Sequence, residues 1–229
     1  MKQSPILTFK QDCRRCTRLA AFLDQVRVEH PDYHALPVCS FGKTGGKFLI
    51  VGLAPGMHGA NRTGRPFTGD FAGNLLYGSL HKYGFSSSAD PLNEAGDANP
   101  VLKLQNCRIA NAVRCLPPQN KPEPGEIRAC NGYLAEELSI LPHGSAVMAL
   151  GTIAHHAVLM ALQLRKSEFA FGHGAQHELP SGLTLFDSYH CSRYNTQTKR
   201  LTTVMFEAVI GDIAKYIERT FSSVSQDIS

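Results

Sequence analysis

Long hydrophobic runs are missing from this sequence. No stretch approaches the roughly 18 consecutive apolar residues that a membrane helix needs. The N-terminal stretch MKQSPILTFKQDC also lacks the apolar core of a secretory signal peptide. We therefore expect a soluble, cytoplasmic protein that makes no contact with a membrane.

The two common glycine signatures of nucleotide cofactors are absent as well. The stretch GLAPGMHGANRTGRPFTGD, residues 52–70, contains five glycines and follows the apolar run KFLIV directly. It lacks the G-K-S/T ending of a Walker A loop, and it does not follow the pattern G-x-G-x-x-G. Glycines in such a loop let backbone N–H groups approach a ligand closely. We expect a ligand there that is not recognised through either nucleotide motif.

A disulfide framework is not expected, because the seven cysteines form an odd number and no secretion signal accompanies them. Cys13 and Cys16 form a C-x2-C pair, whereas Cys115 and Cys130 are separated by fourteen residues. Zinc sites usually take two short knuckles, so this split pattern favours a [4Fe–4S] cluster. Zinc and unrelated thiols are the alternatives, and Cys39 is a rival for the fourth ligand position.

Charge alone does not identify a partner. The formal net charge is +4, which permits a polyanionic partner without requiring one. Arginines at 62 and 65 lie in the glycine-rich loop, and Arg193, Lys199 and Arg200 lie in a second polar loop. These residues predict either a nucleic-acid face or an ordinary solvated surface.

Apolar runs of strand length alternate with stretches of helical spacing along the chain. Strands are predicted at 47–53, 107–113, 145–151 and 183–190. Helices are predicted at 8–24, 71–85, 125–141, 152–164 and 201–220. This order indicates a single α/β domain with a central, mostly parallel four-stranded sheet and helices on both faces. The domain is assigned to residues 1–220, and residues 221–229 are expected to be a frayed tail.

Three polar loops leave the carboxyl ends of predicted strands. They follow Val51, Ile109 and Tyr189, and the last begins with HCSRYNTQTKR. Ligands of open α/β sheets bind at this edge of the sheet. We therefore expect the functional residues of the three loops to converge.

The stretches GLAPGMHGANRTGRPFTGD, NAVRCLPPQNKPEP and HCSRYNTQTKRLT, in this order, resemble the motifs of type 5 uracil-DNA glycosylases. This is the iron–sulfur branch of the uracil-DNA glycosylase superfamily, and the resemblance extends from Cys13 to about Thr203. It implies a parallel sheet flanked by helices and the removal of uracil, and often of other deaminated bases such as hypoxanthine, from DNA. It also implies a structural [4Fe–4S] cluster on Cys13, Cys16, Cys115 and Cys130.

Such an enzyme must take the base out of the stack, because the N-glycosidic bond is inaccessible inside a duplex. Phe67 is the candidate platform under the base, and Asn111 suits the O4/N3–H edge of uracil. A core-capping Phe and a backbone-binding Asn are the structural alternatives. Gly52, Leu53 and Ala54 are expected beside the base.

The acid–base groups of the predicted site are few. Asp70 is the only acid of the first loop, and the resemblance implies that it orients water or stabilises the sugar cation. Its alternative role is the N-cap of the next helix. His190 is implied as a donor to uracil O2. His58 is expected to contact sugar, phosphate or water, or to brace its loop.

DNA contacts are predicted in two loops. Ser192, Arg193, Tyr194 and Asn195 are candidates for the wedge that fills the gap left by the flipped base. Asn61, Arg62 and Arg65 are expected near phosphates or at the rim of the pocket. Cys191 replaces the proline usual in relatives, and we expect this change to loosen the wedge loop and to expose an oxidisable thiol.

These observations predict a monomeric, monofunctional DNA glycosylase of base excision repair, since no lysine is placed to form a Schiff base. A non-catalytic iron–sulfur protein that binds nucleic acid on the same scaffold is the alternative, and a zinc-dependent hydrolase is the third hypothesis. Four further histidines, at 155, 156, 173 and 177, are expected to be surface or core residues. The H-x3-H spacing of His173 and His177 would need a helix, which Gly172 and Gly174 disfavour.

Overall fold

The computed structural model describes residues 9–222. The strands are β1 (Phe48–Gly52), β2 (Cys107–Asn111), β3 (Ala146–Leu150), β4 (Gln176–Glu178) and β5 (Thr184–Ser188). The helices are α1 (Thr17–Glu29), α2 (Ala60–Thr63), α3 (Phe71–Lys82), α4 (Pro124–Ser139), α5 (Thr152–Ala161), α6 (Arg193–Gln197) and α7 (Thr203–Ser222). A 3-10 turn at Pro118–Asn120 precedes α4. Within this part of the chain, no helix is both long and apolar enough to cross a bilayer.

The five strands form one sheet in the order β2-β1-β3-β5-β4. Strands β2, β1, β3 and β5 run parallel to one another, and β4 pairs antiparallel with β5. The predicted α/β class and the four parallel strands are confirmed. The predicted number of strands is corrected from four to five, because the short edge strand reads Gln-His-Glu and carries no apolar signal.

The central strands are buried on both faces, which explains their continuous apolar runs. All five residues of β1 and of β3 are buried. Phe48 and Ile50 belong to the core that also contains side chains of α3 and α7. Leu49 and Val51 belong to the core on the other face, with side chains of α4 and α5. The sheet is therefore held between two helical layers.

The first and last helices differ from their predicted bounds. The helix predicted at 8–24 begins only at Thr17, because Cys16 is its N-cap in an extended conformation and Cys13 lies in the preceding turn region. Leu19, Leu23 and Val26 form its buried face. The last helix ends at Ser222, so the first two residues of the predicted tail are helical. The rest of that tail, 223–229, lies outside the described residues.

Candidate active site

The three polar loops meet at one cavity at the carboxyl edge of the sheet, with a volume of about 410 Å³. Binding sites for small molecules commonly occupy a few hundred cubic ångströms. The convergence expected from the strand exits is therefore present. The predicted residues that line it are Leu53, Ala54, His58, Phe67, Asp70, Asn111, His190, Ser192 and Arg193.

The register of β1 and β2 builds the floor of this cavity. Gly52 and Asn111 are partners in that register, at the last position of each strand. A Cβ atom added at Gly52 would overlap the Asn111 Oδ1 atom and would lie 2.7 Å from the Phe67 Cζ atom. Glycine is required there because the amide and the ring both close in on its backbone.

Asn111 presents an unsatisfied acceptor to the cavity wall. The residue is only 6% exposed, and its Oδ1 atom is buried without a hydrogen-bond partner. A buried polar atom left unpaired costs roughly 1–3 kcal/mol. The Oδ1 atom does not accept a hydrogen bond from the backbone, so the alternative role of Asn111 is not seen at this atom. The Oδ1 atom therefore has unused capacity to accept a hydrogen bond.

Phe67 is held in a conformation that bulky residues rarely adopt, with φ +52°. Its neighbours fix the turn: the Tyr77 hydroxyl donates to the Pro66 carbonyl at 2.9 Å, and the Thr63 hydroxyl donates to the Thr68 carbonyl at 3.0 Å. Strain of this kind persists where the surrounding structure over-determines it, and such positions cluster at functional sites. The Phe67 ring centroid lies 6.0 Å from that of His190.

Asp70 is both the N-cap of α3 and a residue of the cavity wall. Its Oδ1 atom accepts the Gly73 N–H at 3.0 Å and caps α3. The Oδ2 atom points the other way, where a Cβ at Gly56 would lie 3.4 Å from it and a Cβ at Gly59 would overlap it. Burial raises the pKa of Asp70, and the N–H groups of Gly73 and Ala72 oppose that shift.

His190 follows β5 and lines the cavity. Its carbonyl accepts the Asn195 side-chain N–H at 2.8 Å, which fixes the backbone where the strand ends. Burial in the cavity wall lowers the pKa of His190 to about 4. The imidazole is therefore neutral at physiological pH and retains one N–H to donate.

His58 is braced as well as exposed to the cavity. Its Nδ1 atom lies 2.7 Å from the Tyr33 hydroxyl, and the two rings meet edge to face. The structure thus supports the bracing interpretation of His58, and its place in the lining leaves a ligand contact open.

Two predicted DNA contacts are corrected. Asn61 is completely buried, so its side chain does not reach the rim. Arg65 donates to the Asn99 carbonyl at 2.8 Å and to the Pro91 carbonyl at 2.7 Å, and its guanidinium lies over the Phe41 ring. The carbonyls of the neighbouring loop needed buried donors, and Arg65 supplies them.

Arg62, like Arg65, donates hydrogen bonds to backbone carbonyls. Its side chain donates to the His58 carbonyl at 3.0 Å and to the Gly96 carbonyl at 3.1 Å. Arg62 and Arg65 therefore link the glycine-rich loop to residues 86–100. Neither residue lines the cavity.

The predicted wedge loop forms a short helix, α6, capped by the Ser192 hydroxyl, which accepts the Asn195 backbone N–H at 3.3 Å. Ser192 and Arg193 line the cavity, and Tyr194 is 71% exposed beside them. Asn195 is a brace for His190 and not a lining residue. The wedge candidates narrow to Arg193 and Tyr194.

Cys191 does not offer the oxidisable thiol expected of it. The residue is fully buried in the core, and burial raises the pKa of its thiol. Reactive cysteines are exposed and have lowered pKa values. That expectation is therefore wrong, because the Cys191 side chain packs in the core.

Sequence reasoning missed several lining residues, of which Asn120 is the most polar. It reaches the cavity from the proline-rich segment, where Gln119 and Asn120 both have positive φ, at +55° and +57°. Asn tolerates this conformation better than most residues. The run PPQN, between Cys115 and the next helix, is the sequence signal that could have predicted a turn with Asn120 at this place. The other missed residues are Gly56, Met57, Gly59, Ala60, Phe71 and Ala72.

The four predicted metal ligands surround a second, smaller cavity. Cys13, Cys16, Cys115 and Cys130 line it together with apolar residues such as Leu19 and Val113. Cys39 lies outside it, which removes the rival ligand. Burial, reinforced by the neighbouring thiols, raises the pKa of Cys115 to about 12. The same causes raise the pKa of Cys130 to about 11.

A sequence model described as the Uracil DNA glycosylase superfamily matches residues 39–214, which span all three loops of the cavity. The chain belongs to the uracil DNA glycosylase superfamily. The resemblance read from the three motifs is thereby confirmed.

Relatives of this superfamily member cover most of its length. It is 47% identical over 203 residues to the Type-5 uracil-DNA glycosylase of Thermus thermophilus, covering 86% of this chain and 90% of the relative. It is 39% identical to that of Mycobacterium tuberculosis, covering 89% and 77%. It is 35% identical to that of Pyrobaculum aerophilum, covering 87% and 86%. The Type-4 uracil-DNA glycosylase of Thermotoga maritima is 29% identical over 62% of this chain.

Proposed function

We propose that this superfamily member is a monofunctional uracil-DNA glycosylase of base excision repair. It hydrolyses the N-glycosidic bond of deoxyuridine in DNA and leaves an abasic site. The buried, unpartnered Oδ1 atom of Asn111 beside Phe67 is the observation that carries the proposal. Uracil offers an N3–H to that atom, whereas cytosine has a bare acceptor at the same position. A site built to pair a donor rejects the analogue that lacks it.

The reaction breaks the bond between C1′ and N1 of uracil, and the electron pair leaves with the base. The neutral His190 donates an N–H to O2, where negative charge develops, and such donors typically lower the barrier by about 3–4 kcal/mol. The Asp70 carboxylate stabilises the cationic sugar and orients the water that adds to C1′. Leu53 and Ala54 contribute apolar wall and no second carboxylate.

The DNA is held at the rim of the cavity. Arg193 and Tyr194 are exposed next to the opening, so a guanidinium or a phenol is available to fill the gap left by the flipped base. Among the described residues, those that line the cavity include no lysine. The abasic product is therefore released without a Schiff base and without strand cleavage by the enzyme.

A gel assay on labelled oligonucleotides tests the proposal. Uracil or hypoxanthine is placed at one position of single- and double-stranded DNA, and alkali is added after incubation. We expect an alkali-dependent break at uracil and no break without alkali. A folded, cluster-loaded protein that produces no alkali-labile site would reject the proposal, and retained binding would then support the non-catalytic alternative. Wild-type rates in Asn111→Ala would reject the pocket assignment.

We also propose that Cys13, Cys16, Cys115 and Cys130 hold a structural [4Fe–4S] cluster. The cavity that the four thiols share supports it. When bound, the cluster would cross-link the start of α1, the segment after β2 and the first half of α4. Four irons and four acid-labile sulfides per chain are expected after anaerobic purification. One zinc per chain on these cysteines in an active protein would contradict the proposal.

The working form is proposed to be a cytoplasmic monomer bound to DNA. Light scattering on the purified protein, with and without abasic DNA, is expected to give the mass of one chain.

A further inference from the structure

Three ionisable side chains converge away from the glycosylase cavity, where β4, β5 and α5 pack together. Asp187 lies in β5 and is completely buried, as is His155 of α5. His177 comes from the edge strand β4, and 17% of its side chain is exposed. None of the three lines the active-site cavity or the cysteine cavity. The sequence motifs that define the family leave this cluster unexplained.

Their ligand atoms lie within 4.8 Å of one another. The carboxylate of Asp187 is central: its Oδ1 atom lies 2.7 Å from His155 Nδ1, and its Oδ2 atom lies 3.4 Å from His177 Nε2. His177 Nε2 is buried and makes no hydrogen bond. Two imidazole nitrogens and one carboxylate therefore face a common point.

A count of hydrogen atoms shows what the contact between His155 and Asp187 needs. His155 Nε2 lies 3.0 Å from the Phe169 carbonyl, which can only accept, so Nε2 carries a hydrogen. The Nδ1 atom of a neutral His155 then presents a lone pair to the Asp187 carboxylate, 2.7 Å away. Two acceptors at this distance require a proton or a metal ion between or beside them. A proton on His155, a proton on Asp187 or a metal ion meets that need.

We propose that His155, His177 and Asp187 bind a divalent transition metal, with zinc as the first candidate. Two imidazoles and a carboxylate form a common zinc ligand set, with bonds of about 2.0–2.2 Å. Such bonds place tetrahedral ligand atoms roughly 3.4 Å apart, and the His177–Asp187 separation of 3.4 Å already meets this value. The His155–Asp187 contact would have to lengthen.

The surroundings already orient these ligands. The His155 Nε2–H donates to the Phe169 carbonyl, and the Gly172 N–H donates to Asp187 Oδ2 at 3.4 Å. Metal-bound histidines almost always donate their second N–H to a carbonyl or carboxylate, which fixes the tautomer. A proton on His155 would leave the buried Nε2 atom of His177 unexplained, whereas a metal ion uses it. A bound metal ion therefore accounts for His177 Nε2, a buried atom that a proton on His155 leaves without a partner.

The metal would act as a clamp on the strand that leads to His190. Its ligands come from α5, β4 and β5, and Asp187 precedes His190 by three residues. The edge hairpin would thereby be held against the strand whose end supplies His190. The site is separate from the proposed base pocket, so its test does not depend on glycosylase activity.

Zinc binding to the cluster-loaded protein tests the proposal. We expect one saturable equivalent of zinc by calorimetry, and a rise in Tm of roughly 5–10 °C at a hundredfold excess over Kd. Zinc K-edge X-ray absorption is expected to show only nitrogen and oxygen neighbours at about 2.0 Å. Absence of saturable binding, or a sulfur shell at about 2.3 Å, would overturn the proposal.

Matched histidine variants locate the ion. His177→Ala, at the accessible edge of the cluster, and Asp187→Asn are each expected to abolish the zinc-dependent rise in Tm. His156→Ala removes the adjacent histidine of the same helix and is expected to keep the full rise. Circular dichroism in the absence of zinc checks that each variant is folded. Undiminished zinc binding by His177→Ala would overturn the proposal and would leave a proton on His155 or on Asp187 between the two residues.

Discussion

At the scale of single residues, Asp70 meets two demands with the two oxygens of one carboxylate. One oxygen caps α3 through the Gly73 N–H, and the other faces Gly56 and Gly59 at the cavity. Sequence reasoning weighed the cap against the catalytic role and did not treat the two as exclusive. The two oxygens occupy both places at once, because the cap fixes the orientation in which the second oxygen reaches the cavity.

Asp70→Asn should therefore separate stability from catalysis. Asn caps helices about as well as Asp, so the free energy of unfolding should change by less than about 0.5 kcal/mol. The single-turnover rate on uracil DNA should fall at least about a hundredfold, because the charge beside the sugar is lost. Asp70→Ala should lose the rate and, in addition, about 1 kcal/mol of stability. A wild-type rate in Asp70→Asn would remove the carboxylate from the mechanism.

His190 predicts a pH dependence of stability. Its pKa is about 4 in the folded protein and about 6.5 when unfolded. The unfolded chain therefore binds a proton below pH 6.5 that the folded chain binds only near pH 4. Stability from this group is complete above pH 6.5 and falls, by up to about 3 kcal/mol, as the pH drops to 4.

Urea unfolding at several pH values checks this dependence. His190→Gln removes the titrating group, so the variant should lose less stability than the wild type on acidification. The difference should appear only below about pH 6.5. Identical slopes for the two proteins would mean that His190 is not held neutral by the fold.

At the scale of secondary structure elements, the pairing of β1 with β2 decides the floor of the active site. Gly52→Ala should place a methyl group against Asn111 and Phe67. Overpacking of this kind costs about 1–3 kcal/mol, and a misplaced pocket should lower the rate about a hundredfold.

Gly78→Ala is the matched control for that substitution. A Cβ at Gly78, inside α3, meets no atom within 4 Å. The change should stabilise the helix by up to about 1 kcal/mol and leave the rate unchanged. Both outcomes are read from urea unfolding and single-turnover assays. An active Gly52→Ala protein would contradict the close approach of the amide and the ring.

The segment between Cys115 and Cys130 connects the cysteine cavity to the active site. It carries Asn120 into the wall of the active-site cavity, on backbone that holds two residues at positive φ. A cluster bound at both ends of this segment would restrict it.

Cys130→Ser should therefore lose cluster iron and raise KM for uracil DNA by roughly tenfold, about 1.4 kcal/mol of binding. Cys39→Ser, outside the cysteine cavity, should keep both the iron and the wild-type KM. Iron analysis and steady-state kinetics check the pair. A wild-type KM in cluster-free Cys130→Ser would uncouple the segment from the cluster.

At the scale of the whole molecule, the carboxyl edge of the sheet gathers the proposed DNA contacts. Arg193, Lys199 and Arg200 are exposed in one loop at this edge. By contrast, the guanidinium groups of Arg62 and Arg65 donate their hydrogen bonds to backbone carbonyls. The positive face is therefore smaller than the sequence predicted.

DNA binding should weaken steeply with salt, because each neutralised phosphate of a duplex contributes a slope of about −0.9 in log K against log salt. Arg193→Ala should weaken binding to abasic DNA and reduce that slope by about one unit. Arg165→Ala is the control, since this exposed arginine follows α5 at the opposite edge and pairs with Glu168. Fluorescence anisotropy at several salt concentrations measures both. Equal slopes for the three proteins would move the DNA face elsewhere.

The amino-acid sequence by itself determined the α/β class, the parallel strands, the cysteine set and most of the cavity lining. Each of these depends on local patterns. Apolar runs such as FLIVG predict buried strands, and parallel strands bring their carboxyl ends to one edge. Phe67, Asn111 and His190 follow from that rule because each lies in the carboxyl-terminal part of a predicted strand or in the loop that leaves one.

Only the tertiary structure decided which way the remaining side chains point. Arg65 turns inward because distant backbone carbonyls accept its N–H groups, Asn61 is completely buried, and Asn120 enters the cavity on an unusual backbone conformation. His155, His177 and Asp187 come from three different elements, α5, β4 and β5, and their sequence spacing alone does not show that the three side chains meet. Side-chain direction and long-range contact depend on how elements pack, and sequence patterns record packing only within a few residues.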